Sequence, residues 1–156
     1  MRELLQRKIL NINNKDKMHI TPIQLRFNDI DQMGHVNNAV IMEFFDLGKS
    51  EYFTAIGLPP EEGEFTVMVV RVEVDFHKQM HYHDHIHVTT LVDHFGTKSL
   101  AMRQQVVDSE TGEPFATCRT VMSGYSRTTQ KAAVIPDTIK ERILRYEQDS
   151  GQAANN

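Results

Sequence analysis

The spacing of apolar residues predicts one long helix early in the chain. From about Asn37 onward, apolar or small residues recur at helical spacing, namely Ile41, Phe44, Phe45, Gly48, Tyr52 and Ile56. Gly48 on that face would allow another element to approach closely, because it carries no side chain. The segment "GLPPEEGEF", residues 57–65, then ends the helix with glycine and prolines. We therefore predict a helix with one strongly apolar face.

Beyond this helix the apolar period falls to two, which is typical of β-strands. The predicted strands cover residues 70–76, 86–92, 100–106 and 115–125, and turn-like segments such as "DHFGTK" and "DSETGEP" separate them. Before the helix, Ile23, Leu25 and Phe27 alternate with polar residues and predict one further strand. Strands joined by short turns after a helix indicate a mostly antiparallel sheet in an α+β domain.

The length of 156 residues suits one domain with a single core. We expect an N-terminal arm over residues 1–17, one domain over residues 18–148 and a disordered tail over residues 149–156. The domain would end in a helix that Pro136 and Asp137 start. One long helix covers only one face of a sheet well, so the remaining apolar surface predicts self-association.

Charge and cysteine content narrow the possible partners and compartment. A net charge of −4 and a pI near 6.0 argue against nucleic acid as the main partner, but leave room for a local basic patch. The single Cys118, in a strand-like run, rules out an intramolecular disulfide and predicts a buried packing thiol in a reducing compartment. The sequence shows neither a signal-peptide core nor a membrane-spanning apolar run. We expect a cytoplasmic protein with no membrane partner.

The segment "RFNDIDQMGHVNNAVIMEFFD", residues 26–46, gathers acids, a glycine, a histidine and two amides at the predicted start of the helix. A helix start offers unpaired backbone N–H groups and the positive end of the helix dipole. A nearby carboxylate could serve as a nucleophile or general base, while the amides polarise a carbonyl oxygen. The same residue types also form turns and helix caps. The residues alone leave both interpretations open.

The string D-x-D-x-x-G-H-V-N-N, followed by an aromatic-rich helix, resembles the 4-hydroxybenzoyl-CoA thioesterase-like acyl-CoA thioesterases. The likeness extends from about Thr21 to Arg127 and includes "VVRVEVDFHKQMHYHDHIHV" and "FGTKSLAMRQQVVDSETGEPFATCRTVMSGYS". It implies the hotdog fold, in which a curved antiparallel sheet wraps around a long central helix. It also implies hydrolysis of acyl-CoA to free acid and CoA, with no metal or redox cofactor, because the CoA moiety is part of the substrate. Homodimers that assemble into homotetramers are expected, with CoA often lying across subunits.

The resemblance also assigns roles within the string. The second acid of D-x-D is the catalytic one, which corresponds to Asp31, as nucleophile or general base. Asp29 would instead form hydrogen bonds within the loop or face outward. The backbone N–H of Asn38 is the expected oxyanion donor. His35 and Asn37 are expected to support the site.

Further positions concern CoA binding and departures from the family pattern. Lys98, with Ser99 beside it, matches a basic position next to the CoA phosphates in the family. Relatives commonly carry Tyr where this chain has Ile41, a change that bears on acyl preference. His83 replaces a glycine in the turn that precedes Asp84, so the conformation of that turn is an open question.

Histidines are concentrated in one segment and raise the question of a metal site. His81, His83, His85 and His87 are spaced by two, so they would share a face on an extended strand. Imidazole is a good ligand for zinc and nickel. A flat row on one strand cannot converge on a tetrahedron without ligands from elsewhere. We therefore predict no physiological metal site and interpret the row as a solvated strand edge.

Three other functions remain possible on the sequence. An acyl-carrier-protein thioesterase would share the chemistry but would need a surface that binds the carrier protein. A hotdog dehydratase or hydratase would share the fold and act on enoyl chains. A non-catalytic acyl-CoA-binding module would bind the ester stoichiometrically and release no thiol. The identity of the acyl chain is left open.

Overall fold

One strand, a long helix and then a run of strands make up most of the chain. The computed structural model describes residues 18–59 and 61–149, so the predicted N-terminal arm and residues 150–156 of the predicted tail lie outside the described residues. The helices and strands are β1 (His19–Ile23), α1 (Asn38–Ala55), β2 (Phe65–Phe76), β3 (Ile86–Phe95), β4 (Ser99–Asp108), β5 (Pro114–Ser126), β6 (Lys131–Ala132) and α2 (Asp137–Asp149). Within these ranges, neither helix combines the length and hydrophobicity needed to cross a bilayer.

The strands form one sheet in the order β1-β3-β4-β5-β2, with β6 paired to β5. Every strand pairing is antiparallel, as predicted. The short β6 was not predicted. Helix α1 packs against β1, β3 and β4, so the sheet curves around the helix and leaves β2 as an outer strand.

The core lies between α1 and the sheet, and the predicted apolar face of the helix is buried. One cluster surrounds the first half of α1 and includes Phe44, Phe45, Val88, Val106 and Phe115. A second cluster surrounds the other half and includes Tyr52, Phe53, Val92, Leu100, Met102 and Met122. The close approach predicted at Gly48 is confirmed, because a Cβ there would lie 2.8 Å from Val88 Cγ1.

The strand predicted from Ile23, Leu25 and Phe27 is wrong except at Ile23, because the observed strand lies earlier in the chain. Strand β1 stops at Ile23, whose partner Ile86 is the first residue of β3. Phe27 lies in a 3-10 turn, Phe27–Asp29, and is 81% exposed. The Asp29 carboxylate closes this turn by accepting hydrogen bonds from the Arg26 backbone N–H at 2.8 Å and from its guanidinium at 2.9 Å. These local bonds replace the strand that the alternation predicted.

The C-terminal helix α2 is fixed to the rest of the fold by a buried carboxylate. It begins directly after Pro136, as predicted. The Glu147 carboxylate, 4% exposed, accepts the Tyr52 hydroxyl at 2.7 Å and the Val92 backbone N–H at 2.8 Å. The second bond satisfies a strand donor where the β3–β4 register shifts between Val92 and His94. Burial and the adjacent Glu147 hold the pKa of Tyr52 well above its usual value.

Strand β2 carries the uncovered apolar surface that the sequence predicted. Its exposed apolar side chains are Met68, Val69, Val70, Val72 and Phe76. A long apolar edge strand offers unpaired backbone groups and hydrophobic area to another chain. This strand therefore has the properties of an association surface.

Candidate active site

The glycine-histidine motif folds into a tight hairpin that leads into α1. Ile30 and Val36 form an isolated antiparallel bridge. Between them, the Asp31 N–H donates to the His35 carbonyl at 2.9 Å, and the Gly34 N–H donates to the Asp31 carbonyl at 3.0 Å. Gly34 has a φ of 79°, a left-handed conformation that favours glycine. The glycine is therefore required by the turn that positions Asp31.

The Asp31 side chain lies on the wall of a cleft at the start of α1. Its Oδ1 accepts the Met33 backbone N–H at 2.8 Å, which fixes the orientation of the carboxylate. Among the described residues, none donates a hydrogen bond to its other oxygen. The cleft has a volume of about 520 Å³, and its wall includes His35, Asn37, Asn38, Ile41, Phe76 and Lys78. The carboxylate is exposed in the single chain, so one oxygen is free to meet a ligand.

Asn38, the first residue of α1, lines the same cleft, and its backbone N–H has no protein partner among the described residues. Asn37 caps the helix, because its Oδ1 accepts the Ala39 N–H at 2.8 Å and its carbonyl accepts the Ile41 N–H at 3.1 Å. In the part of the chain that the structure describes, no group accepts a hydrogen bond from the Asn38 N–H. This unpaired donor at the positive end of the helix dipole is suited to an anionic oxygen. The side chain of Asn37 is occupied by capping.

Asp29 has the loop role expected for it. It is 1% exposed and bonded to Arg26, and its carbonyl accepts the Asn37 N–H at 2.9 Å. These contacts hold the strand-to-helix junction together. Asp29 is therefore buried in the loop and Asp31 is the acid that lines the cleft.

The predicted row of histidines does not lie on one strand. Residues 81–85 form turns, and only His87 of the row lies on β3. The Asp84 carboxylate accepts the His81 backbone N–H at 2.7 Å and closes the turn in which His83 replaces glycine. The His81 ring contacts the His35 ring at the cleft, with centroids 5.1 Å apart. Within residues 18–59 and 61–149, no three His, Cys, Asp or Glu side chains converge to hold a metal ion.

Lys98 and Ser99 lie at the other end of the fold. Lys98 lies in the turn between β3 and β4, and Ser99 is the first residue of β4. The Lys98 carbonyl accepts the Gly124 N–H at 2.7 Å. Leu100, which follows them, packs in the cluster around the second half of α1. Asp31 instead lies beside the first half of this helix of 18 residues, which is about 27 Å long. A single chain does not bring Lys98 and Asp31 together.

Several cleft residues were not predicted from the sequence. Phe76, His77 and Lys78, at the end of β2, line the cleft beside Asp31. The Val36 N–H donates to the Met80 carbonyl at 2.8 Å and joins that segment to the hairpin. No local sequence pattern signals this contact, because it depends on how the sheet wraps around α1.

The model of the thioesterase-like superfamily matches residues 25–143. A solved structure of a Thermus thermophilus thioesterase, complexed with coenzyme A and Zn, is 31% identical, covers 86% of this chain and 98% of that chain, and has a TM-score of 0.73. A predicted thioesterase from Bacillus stearothermophilus is 27% identical, with coverage of 83% and 96% and a TM-score of 0.73. The YsmA protein of Bacillus subtilis (strain 168) is 25% identical over 122 residues, which are 78% of this chain and 82% of YsmA.

The curved antiparallel sheet around a long helix, the family match and the similarity to solved thioesterases together identify a thioester hydrolase of the hotdog fold. The chain belongs to the thioesterase-like superfamily. The predictions of hotdog fold and thioesterase family are thereby confirmed.

Proposed function

We propose that this protein hydrolyses acyl-CoA thioesters to free acid and CoA in the cleft between Asp31 and the start of α1. One observation carries the proposal: Asp31 and Asn38, whose backbone N–H is unpaired among the described residues, line the same cleft. A base or nucleophile on one side and an oxyanion donor on the other are the two groups that acyl transfer requires. Coenzyme A in the related Thermus thioesterase supports CoA as the thiol.

The proposed reaction assigns a step to each group. The Asn38 N–H donates to the thioester oxygen as it becomes negative, which typically contributes roughly 10²–10³ in rate. Asp31 either attacks the carbonyl carbon itself or takes a proton from water that attacks. The C–S bond then breaks and the CoA thiolate leaves. Where Asp31 has attacked, water hydrolyses the mixed anhydride formed on its carboxylate, which frees the acid and regenerates Asp31. In both cases the proton that the attacking water gives up passes to the thiolate. Asn37 holds the helix start in position and His35 lines the cleft as a supporting residue. These steps use neither a metal nor a redox cofactor.

We also propose that two copies associate through β2. An antiparallel pairing of β2 with its copy would extend the sheet and pair the free backbone edge of that strand. Such a pairing brings the start of the second copy's β2 beside Phe76, at the cleft. Val67 near that start is the register partner of Gly124, which is bonded to Lys98. The second copy could thus contribute Lys98 and Ser99 to the CoA phosphates.

Two further expectations belong to the same proposal. Exposed Met68 and Val70 remain available for a homotetramer, because a strand pairing leaves side chains on the sheet faces uncovered.

Cys118, the one cysteine of the chain, is buried, and burial raises the pKa of its thiol. A reduced packing thiol suits a cytoplasmic protein.

A thiol-release assay over a panel of acyl-CoA esters tests the function. The same acyl groups on an acyl carrier protein form the second arm, and sedimentation equilibrium reports the assembly. We expect catalytic release of CoA and a dimer or tetramer. Stoichiometric binding of every ester without thiol release would refute the proposed hydrolysis. Turnover confined to carrier-linked esters would refute CoA as the leaving thiol.

A further inference from the structure

A lysine on α1 is buried with most of its hydrogen-bonding capacity unused. The Lys49 side chain is 9% exposed, and its Nζ lies 2.7 Å from Oδ1 of Asp46, whose own side chain is 71% exposed. An ammonium group has three N–H donors. Across the described residues, Asp46 is the one group that forms an ion pair or hydrogen bond with it. Burying an ammonium with unfilled donors is costly, so a ligand is a reasonable partner for the remaining donors.

This lysine lies in the wall of a second cavity. The cavity has a volume of about 180 Å³ and combines four polar residues, Asp46, Lys49, Ser50 and Thr66, with apolar walls. The apolar side chains are Phe53, Leu58, Val67, Val69 and Met122. Such a lining suits a hydrocarbon chain that ends in a polar group.

The cavity lies in line with the proposed active site along α1. Asn38 and Lys49 are eleven residues apart in α1, which is slightly more than three turns of 3.6 residues, so they share one stripe of the helix about 16 Å apart. The same stripe passes from the first cleft, whose wall includes Asn38, to the second, whose wall includes Lys49.

The β2 side chains beside this stripe of α1 are apolar. Val69, Val72 and Phe76 of β2 are exposed to 45%, 39% and 45%. Their register partners on β5 are buried, and cross-strand partners share a face of the sheet. These side chains therefore lie on the side of the sheet that α1 occupies, and α1 packs on other strands. Phe76 lines the first cleft and Val69 lines the second cavity, so these exposed apolar side chains extend from one to the other, and we call this stretch of surface the groove.

We propose that this groove holds the acyl chain and that Lys49 binds a carboxylate at its far end, so that the preferred substrates are medium-chain ω-carboxyacyl-CoA esters. The proposal rests on the proposed function of the first cleft. An extended chain gains about 1.2 Å per bond, so a groove of about 16 Å fits an acyl chain of roughly eight to twelve carbons. The apolar wall contacts the methylene groups, and the Lys49 ammonium donates to the terminal carboxylate.

Non-hydrolysable thioethers test this specificity without requiring turnover. Calorimetry on the full chain would compare S-octyl-CoA with S-(carboxyheptyl)-CoA, and S-dodecyl-CoA with S-(carboxyundecyl)-CoA. We expect the wild type to bind the carboxylated member of at least one pair more tightly. Lys49→Met should reduce that preference about ten- to hundredfold, the range of a hydrogen bond to a charged group. Lys49→Arg should retain it, and Arg145→Met, at an exposed position of α2, should leave it unchanged.

Asp46 supplies a second test if Lys49→Met does not fold. Asp46 competes with the ligand for the same ammonium, so Asp46→Asn should increase the preference for the carboxylated thioether. If Lys49→Met folds and keeps the wild-type preference for the carboxylated thioether, the role of Lys49 is overturned. If Lys49→Met is unfolded, an unchanged preference in Asp46→Asn overturns it. Equal binding of both members of each pair by the wild type would also overturn it.

The two proposals fail in different experiments. Absence of hydrolysis with thioester substrates would refute the proposed function, while the thioether preference would still report on Lys49. Hydrolysis of plain and carboxylated esters alike, together with equal thioether binding, would refute the specificity and leave the thioesterase function standing.

Discussion

Replacing Gly48 by alanine tests the packing that holds α1 against the sheet. A Cβ at this position would lie 2.8 Å from Val88 Cγ1, 3.0 Å from Gln104 Nε2 and 3.2 Å from Thr90 Oγ1. Alanine is the better helix former by about 0.8–1.0 kcal/mol. Overpacking a tight core costs about 1–3 kcal/mol. The sign of the net effect therefore depends on whether the neighbours can move.

The structure indicates that they cannot move cheaply. Gln104 is fully buried, and its Nε2 donates to the Phe45 carbonyl at 2.9 Å and to Thr90 Oγ1 at 3.1 Å. Displacing this amide would weaken bonds that contribute about 1 kcal/mol each. After the gain in helix propensity, we expect Gly48→Ala to lower the free energy of unfolding by about 1–4 kcal/mol.

Urea unfolding at one fixed protein concentration measures this change, because self-association makes stability depend on concentration. Ser50→Ala, at an exposed position of the same helix, is the matched control and should be neutral or slightly stabilising. In the Val88→Ala background the nearest colliding atom is absent, so the cost of Gly48→Ala should shrink by about 0.5–3 kcal/mol. A Gly48→Ala protein as stable as the wild type would refute the reasoning.

Three further predictions concern buried or half-buried groups. Glu147→Ala leaves the Tyr52 hydroxyl and the Val92 N–H without their acceptor. Urea unfolding should therefore show a free energy of unfolding lower by about 2–5 kcal/mol. Glu147→Gln keeps an acceptor oxygen, so its free energy of unfolding should decrease clearly less. Burial lowers the pKa of His19, so its contribution to stability is present above pH about 6.5 and is lost as the pH falls through its lowered value. As the pH falls from about 7.5 to about 5, the urea midpoint should therefore decrease less in His19→Asn than in the wild type. An equal decrease in both proteins would contradict this prediction. The buried Cys118, whose pKa burial raises, should react with iodoacetamide only when the protein unfolds, and rapid modification of the native protein would count against it.

The sequence predicts the main elements where one physical pattern dominates. The apolar face of α1 recurs at helical spacing because that face is buried, and the core strands alternate because they have one buried face. The same reasoning fails where local hydrogen bonds decide the backbone. Asp29 closes a turn where the alternation continued through Phe27, and Asp84 closes one where the histidines were spaced like a strand. Periodicity carries no information about such bonds.

The candidate site divides in the same way. Asp31 and Asn38 could be predicted together because they are close in sequence and flank a helix start. The contribution of Phe76 could not be predicted, since it depends on the path of the sheet around α1. Lys49 gave no signal because its burial depends on where β2 lies. Lys98 lies far from the cleft in one chain, so its predicted role depends on a second copy.

The most direct test of the central claim is CoA release by the Asp31→Asn variant. Asn keeps the shape of the side chain and removes its charge, so binding of a non-hydrolysable acyl-CoA thioether should remain close to that of the wild type. Asp137→Asn, at the exposed start of α2, controls for the loss of one negative charge. We predict that kcat falls at least about a hundredfold in Asp31→Asn, the lower range for a general base, and stays unchanged in Asp137→Asn. A kcat close to that of the wild type in Asp31→Asn would contradict the account.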